Sequence, residues 1–276
     1  MWSIPRLKLE ARRALKQFGY WMPLLITFLI GFVNSLGESS LGSSVVTVGT
    51  SDLTYNVAVP SIASQDQLRL LFDEISDELK EFLSNPFIAL TTIFLVLAFA
   101  ALGFIISFAF TSFVSGPLEV GENRFFMEHR GWNPSFDRIF WAFKSGRYMN
   151  IVKISFFKSV KIALWSLLFV IPGIVKSYEY KMVPYLLAEN PQMSSARAFE
   201  LSRKMTYGEK WHMFILDLSF IGWEILGALL CGVGYIFLNP YIKATNAELY
   251  QVFREKAHGL GFSDFSELPG FFPEQV

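Results

Sequence analysis

The chain of 276 residues is unusually apolar, since 52% of its residues are hydrophobic, 29 are Phe and the mean hydropathy is +0.37; soluble domains are less apolar and more charged, so the composition predicts an integral membrane protein. The 24 Lys and Arg residues equal the 24 Asp and Glu residues, so no basic excess indicates a nucleic-acid partner. The only cysteine, Cys231, excludes an intramolecular disulfide and a cysteine metal cluster.

Residues 1–18 are predicted to form a cytoplasmic basic amphipathic helix on the membrane surface. Apolar residues recur at helical spacing from Ile4 to Phe18, and Lys and Arg side chains occupy the remaining face. Residues 19–36 follow without a charge, close to the roughly 20 residues that cross a bilayer, and form the first predicted span. A signal peptide cut after Gly37 is the alternative, which the long amphipathic segment before it and the later spans disfavour.

Residues 37–85 are predicted to be an extracellular loop. Alternating polar and apolar residues up to Pro60 favour a loose hairpin, and a capping-box pattern at Ser64 and Gln67 then introduces an acidic amphipathic helix. Residues 87–114 are an uninterrupted apolar run, long enough to cross the bilayer with tilt. This run is the second predicted span.

Basic residues outnumber acidic ones between Ser115 and Lys158, so this segment is expected in the cytoplasm. A short helix is predicted to begin near Asn133. One of its faces is apolar, with Phe136, Ile139, Phe140 and Phe143. Such a face favours a position along the lipid headgroups.

Two further spans, residues 154–171 and 174–188, are predicted to form a hairpin around Pro172 and Gly173, which punctuate an apolar run. One long helix kinked at Pro172 is the alternative. It would leave the basic residues that follow outside the cell, against the orientation bias of Lys and Arg. Residues 194–206 are typical of a short capped helix on the cytoplasmic surface.

The fifth and sixth predicted spans, residues 213–230 and 235–253, flank a turn that contains two glycines. Residues 255–276 form a cytoplasmic tail, which is expected to fray after His258. The predicted fold is therefore all-α, a polytopic transmembrane helical bundle of about six spans with amphipathic interfacial helices. The positive-inside rule places both ends of the 19–254 membrane domain in the cytoplasm.

Several runs of residues carry a family resemblance. They are GPLEVGENRFF (116–126), IPGIVKSYEYKMVPYLLAENP (171–191), ARAFELSRKMTYGEKW (196–211), LSFIGW (218–223) and PYIKATNAELY (240–250). With these runs in this order the chain resembles the bacterial domain-of-unknown-function family nine hundred and seventy-five. The resemblance implies a multi-pass, six-span protein of the bacterial plasma membrane, distantly similar to the membrane domain fused to some glycerophosphodiester phosphodiesterases. It implies no established activity.

A candidate intramembrane polar site is predicted from residues of the last three spans: Lys176, Glu179, Lys181, Asp217, Glu224, Asn239, Tyr241, Thr245 and Glu248. Asp217 and Glu224 are about two helical turns apart and project from one face, and carboxylates in hydrocarbon often mark ion or proton paths. Two structural alternatives stay open. Asp217 can lie at the headgroup level, and Lys176 can form a local ion pair with Glu179 while the lysines snorkel.

The remaining nominated residues lie on the sixth predicted span. Tyr241, Thr245 and Glu248 share one face and can hydrogen-bond to the fourth or fifth helix. Asn239 precedes Pro240, a pair that can break the helix as in some transporters.

No catalytic residue, metal site or cofactor is predicted, because the three histidines lack the contexts of known catalytic or metal-binding motifs. The leading hypothesis is a noncatalytic membrane scaffold that interacts with membrane lipids or other membrane proteins. The alternative is a small-molecule or ion permease or exporter that uses intramembrane carboxylates. That alternative predicts a polar cavity at mid-membrane.

Overall fold

A computed structural model describes residues 2–30, 86–229 and 233–271 of the chain. Within these ranges every regular element is helical and no strand is present, so the all-α prediction is confirmed for them. The predicted hairpin and acidic helix of residues 37–85 lie outside the described residues.

The chain divides into two compact units, Met1–Ser35 with Phe110–Val276 and Leu36–Ala109. In chain order the described helices are α1 (Ile4–Phe18), α2 (Trp21–Ile30), α3 (Pro86–Phe110), α4 (Gly116–Glu128), α5 (Trp141–Lys144), α6 (Tyr148–Leu168), α7 (Val170–Glu179), α8 (Val183–Glu189), α9 (Ser195–Thr206), α10 (Lys210–Leu229) and α11 (Val233–Gly259). A π-helical turn, Thr111–Ser115, precedes α4, and a 3₁₀ turn, Phe136–Phe140, precedes α5.

One stretch of the described chain, Leu90–Glu128, is long and apolar enough to cross a bilayer. No side chain in its most apolar window is buried, and Trp21–Ile30 is apolar as well but shorter. α3 has 25 residues, which makes it about 37 Å long. Most of the second predicted span, residues 87–114, therefore lies on a helix of spanning length.

α6 and α7 form a helical hairpin, but the break lies at Phe169 and not at Pro172 and Gly173. Phe169 has an extended backbone that separates the two helices. Pro172 lies in the first turn of α7, where a helix needs no backbone donor. Gly173 allows close packing, because a Cβ at this position would overlap the side chain of Ser166 on α6.

The segment predicted as the fourth span, residues 174–188, is not one continuous helix. α7 ends at Glu179, and α8 begins at Val183 with Pro184 in its first turn. Every residue of α8 is buried, and the helix contacts α4 and α9. This part of the segment therefore belongs to the protein core.

The apolar face of α1 is covered by protein. Leu7, Ala11 and Leu15 are almost completely buried, and α1 contacts α11. The helix predicted from residues 1–18 is thus present, but its apolar side faces another helix and not the membrane surface.

α9 begins as predicted, since the Ser194 hydroxyl accepts a hydrogen bond from the backbone N–H of Arg197 at 3.3 Å. The segment after α11 does not fray within the described residues. Leu268 is fully buried, and the backbone N–H of Gly270 donates to Glu189 at 2.6 Å. The prediction of a frayed tail is wrong as far as residue 271, because Leu268 belongs to the buried core and polar groups of the tail bond to Glu189 on α8 and Arg197 on α9.

Candidate functional sites

Glu179 is the centre of a cationic cluster. Its carboxylate, with 5% of the side chain exposed, lies 3.0 Å from Lys176, 2.9 Å from Arg203 and 3.2 Å from Lys210. Its backbone carbonyl accepts a hydrogen bond from the Ser202 hydroxyl at 2.7 Å. The three-residue spacing of Lys176 and Glu179 predicts their ion pair. It does not predict the approach of Arg203 on α9 and Lys210 on α10 to the same carboxylate. The cluster ties α7 to both helices.

Lys181 and Asp217, two further nominated residues, form one ion pair. The Lys181 ammonium donates to both carboxylate oxygens at 2.8 and 2.9 Å. Glu224 and Asn239 are half-buried and make no hydrogen bond or ion pair within the described residues. α11 continues through Pro240, so the structure shows no helix break there. Asp217 and Glu224 both lie on α10, but they have no common partner among the described residues.

The three nominated residues of the sixth span have different partners. The Tyr241 hydroxyl donates to the carbonyl of Lys8 at 3.5 Å. Thr245 is fully buried and donates to the Tyr241 carbonyl at 2.8 Å. Glu248 accepts a hydrogen bond from Arg130 at 2.6 Å. The nine nominated residues thus fall into separate places. The fourth or fifth helix was predicted as the partner of these three, whereas Tyr241 bonds to α1, Thr245 bonds within α11 and Glu248 bonds to Arg130.

A groove with a basic rim lies between α1, α10 and α11, and we call it the basic groove. Its volume is about 500 Å³. Lys8, Arg12 and Lys16 follow one another at four-residue intervals, so they form a stripe along one side of α1. The rest of the lining is mainly aromatic and aliphatic, including Tyr20, Trp223, Leu226, Phe237, Leu238 and Tyr241.

Three basic side chains, those of Lys8, Arg12 and Lys16, line the rim of the basic groove. The Lys8 ammonium donates to the Ser219 carbonyl at 3.3 Å, and Arg12 lies 5.3 Å from the centre of the Tyr241 ring. Burial, together with the nearby charge of Arg12, holds the pKa of Lys8 below its usual range. No carboxylate of the described residues pairs with Lys8, Arg12 or Lys16. The groove therefore combines a cationic edge with an apolar interior.

A second site, which we call the polar cavity, lies between α4, α6 and α11 and has a volume of about 290 Å³. Two ion pairs line it. The Lys243 ammonium donates to Glu122 Oε2 at 2.6 Å, and that of Lys158 donates to Glu119 Oε2 at 2.8 Å. Only 1% of the Glu122 side chain is exposed, and its other oxygen, Oε1, has no hydrogen-bond partner in the described part of the chain.

The four charged residues of the polar cavity are absent from the set nominated from the sequence. Glu119, Glu122 and Lys158 were counted only as charges of a cytoplasmic segment. The signal that could have found the two carboxylates is their three-residue spacing among apolar neighbours in GPLEVGENRFF, which puts both on one side of a helix. Their partners lie 39 and 121 positions away, where no local pattern reaches.

These features describe a helical bundle with one stretch of membrane-spanning length, an amphipathic groove and a charged cavity. The family described as Protein of unknown function (DUF975) matches residues 6–257, which is most of the chain. The chain belongs to this family, as its motifs predicted. No curated protein and no solved structure matches the chain.

Proposed function

We propose that the chain is a noncatalytic integral membrane protein of the bacterial plasma membrane that binds acidic phospholipid in the basic groove. In this proposal about six spans cross the bilayer, and both termini lie in the cytoplasm. Its partners are membrane lipids and, as a scaffold, other membrane proteins. The distant similarity to the membrane domain of glycerophosphodiester phosphodiesterases stays a prediction.

Exposed apolar side chains on α6, α7 and α10 support the membrane setting. At the tip of the α6–α7 hairpin, Leu167 is 86% exposed and Ile171 is 76% exposed. The exposed apolar residues of α10 include Leu218, Ile221, Trp223, Ile225, Leu226 and Leu229. Soluble proteins rarely expose contiguous apolar patches of this kind, because water penalises them, whereas lipid chains solvate them.

The charge of the basic groove carries the lipid proposal. A phospholipid joins an anionic phosphate to apolar chains, and the groove places Lys8, Arg12 and Lys16 beside an apolar interior. Each basic residue near an anionic lipid surface contributes about 1 kcal/mol. Tyr20 and Trp223 in the lining are of the aromatic types enriched at membrane interfaces.

Native mass spectrometry of the full chain, released from a mild detergent, tests the lipid proposal. We expect phosphatidylglycerol to be retained in preference to phosphatidylethanolamine, because only the former has a net negative charge. The triple variant Lys8→Gln, Arg12→Gln, Lys16→Gln should weaken this retention about tenfold or more, since three cations are removed. The control Arg6→Gln, Arg13→Gln removes charges of the same helix outside the groove. Equal retention by both variants would contradict the proposal.

Cysteine labelling tests the direction in which the second predicted span crosses the membrane. In a Cys231→Ser background, Ser51→Cys lies in the predicted extracellular loop, and Ser145→Cys lies in the predicted cytoplasmic segment between the second and third spans. A membrane-impermeant maleimide should label the first variant in intact cells and the second only after permeabilisation. Labelling of Ser145→Cys in intact cells would overturn the orientation.

A permease is a second candidate, favoured by one observation. The polar cavity is lined by two carboxylates, the residue type that this alternative uses. In such a permease the working carboxylates are Glu119 and Glu122. Asp217 and Glu224, nominated from the sequence for this role, do not line the cavity.

A further inference from the structure

We infer that the polar cavity binds a small zwitterion, a molecule that carries one ammonium group and one carboxylate group. This inference does not rest on the lipid proposal, because the polar cavity and the basic groove share no lining residue. Failure of either test therefore leaves the other standing.

The charges of the polar cavity match a dipolar guest. Glu119 and Glu122 supply two negative charges, and Lys158 and Lys243 supply two positive charges, so the lining has no net charge. A cation alone or an anion alone would leave one sign in excess in a partly desolvated site, at an electrostatic cost. A zwitterion presents both signs and keeps the total at zero.

Glu122 provides a specific place for the ammonium of the guest. Its Oε2 is occupied by Lys243, while Oε1 is buried and has no partner among the described residues. A buried carboxylate oxygen without a donor is costly, so a donor from a ligand gains more there than at the surface. An ammonium group is such a donor.

Lys158 provides a place for the carboxylate of the guest. Its ammonium has three N–H donors, of which one goes to Glu119 at 2.8 Å. The Ser155 and Ser159 hydroxyls line the same wall of the cavity and add neutral donors. A ligand carboxylate beside Lys158 and a ligand ammonium beside Glu122 satisfy both ends of one molecule.

The π-helical turn is the second structural feature at the cavity. Thr111 and Ser115, its first and last residues, both line the cavity. π-helical turns are rare and often occur at functional sites, because the wider turn redirects side chains and backbone groups. Gly116 follows the turn and lies so close to α6 that a Cβ would come 2.7 Å from the Ser155 Cβ. The start of α4 and helix α6 are therefore in close contact at the wall of the cavity.

The size of the polar cavity limits the guest to a small molecule. A volume of about 290 Å³ is at the lower end of ligand pockets and equals about ten water molecules at liquid density. A short amino acid fits this volume, whereas a phospholipid does not.

Thermal unfolding of the detergent-solubilised full chain tests the inference. The probes are alanine, β-alanine and γ-aminobutyrate, and propionate and propylamine are the matched compounds that carry a single charge. We expect at least one zwitterion to raise Tm in a saturable manner, because a ligand that binds only the folded state stabilises it. The two singly charged compounds should have no such effect, and titration calorimetry should give one site per chain.

Two variants locate the binding. Glu122→Gln keeps the shape of the side chain but removes its charge, and it should weaken binding roughly tenfold or more. Glu119→Gln is the second cavity variant, for use if Glu122→Gln folds poorly, because Glu119 is half exposed. It should also weaken binding. Glu200→Gln on α9 is the control with unchanged affinity, because it lies outside the cavity.

Three results would overturn the inference. The first is that no zwitterion of the series raises Tm. The second is that propionate or propylamine is as effective as the zwitterions, which would define a site for a simple ion. The third is that the cavity variants that fold keep the full affinity of the unmodified chain.

Discussion

Arg197 on α9 and Glu267 in the C-terminal segment are joined by two parallel hydrogen bonds of 2.7 and 2.8 Å. The hydrogen bonds that Arg197 donates to Glu267 hold the pKa of its guanidinium above the usual range. The same guanidinium donates to the Phe262 carbonyl at 2.6 Å. Bidentate pairs of this type fix both distance and orientation, so Arg197 fastens the segment after α11 to α9.

We expect Arg197→Lys to loosen this segment, because an ammonium cannot make the two parallel bonds of a guanidinium. Loss of one charge-assisted hydrogen bond, about 1.5–3 kcal/mol, should raise the rate of proteolytic cleavage within residues 260–271 about tenfold or more. Limited proteolysis read by mass spectrometry measures this rate. Arg13→Lys, on the exposed side of α1, is the control. Equal cleavage of Arg197→Lys and the control would contradict the role of the pair.

The Arg197–Glu267 pair also shows how much of the fold the sequence could predict. Periodicity and local capping placed α1 and α9, because those signals lie within a few residues of each helix. Proline and glycine located the α6–α7 hairpin but not its break, since Pro172 is tolerated in the first turn of α7. The order of the tail depends on Arg197, 70 positions away from Glu267, and no local pattern reports that contact.

In the candidate sites, too, the sequence predicts contacts between residues close in the chain but not contacts between distant residues. The spacing of Lys176 and Glu179 predicted their ion pair, but only the fold brings Arg203 and Lys210 to the same carboxylate. Glu122 and Lys243 meet across 121 positions. A single-helix pattern places Glu119 and Glu122 on one side of α4 but does not show their distant partners, so these charges were interpreted only as part of a cytoplasmic segment.

The cationic cluster at Glu179 predicts a strong effect of neutralising its carboxylate. Glu179→Gln leaves three cations close together in a partly buried place and should cost about 3 kcal/mol of unfolding free energy. Glu200→Gln is the matched control, since Glu200 is half exposed and pairs at the surface, where an ion pair contributes little to stability. Chemical unfolding in detergent compares the two. A loss for Glu179→Gln no larger than for Glu200→Gln would contradict the prediction.

Gly121 on α4 lies in close contact with the backbone of Ile139. A Cβ at this position would overlap the backbone carbonyl of Ile139, which cannot rotate away as a side chain can. Gly121→Ala should therefore lower stability by about 1–3 kcal/mol or more through overpacking. Gly222→Ala is the control, because nothing lies within 4 Å of its Cβ position. Size-exclusion profiles after heating steps measure the fraction of each variant that stays folded. Equal folded fractions for Gly121→Ala and Gly222→Ala would contradict the importance of the contact.

His129 predicts a specific loss of stability in mild acid. Its side chain is 1% exposed and its ring stacks on Phe125, with centroids 5.5 Å apart. Burial lowers the pKa of His129 from 6.5 to about 4, against a smaller opposite effect of a hydrogen bond with the Gly19 backbone. The folded state therefore keeps this imidazole neutral at a pH where the unfolded chain already binds a proton.

The sign of the pH effect follows from proton linkage. Between pH 6.5 and 4 the unfolded state binds the proton and the folded state does not, so unfolding free energy falls as pH falls through this window. The total loss is about 3 kcal/mol at about 1.4 kcal/mol per pKa unit, and it is absent above the unfolded pKa. His129→Gln cannot titrate and should lack this component when denaturant unfolding is measured across the window. His212→Gln, which alters a half-exposed histidine, should keep it. If His129→Gln and His212→Gln lose stability equally in acid, burial of His129 is not the cause of the acid-dependent loss of unfolding free energy.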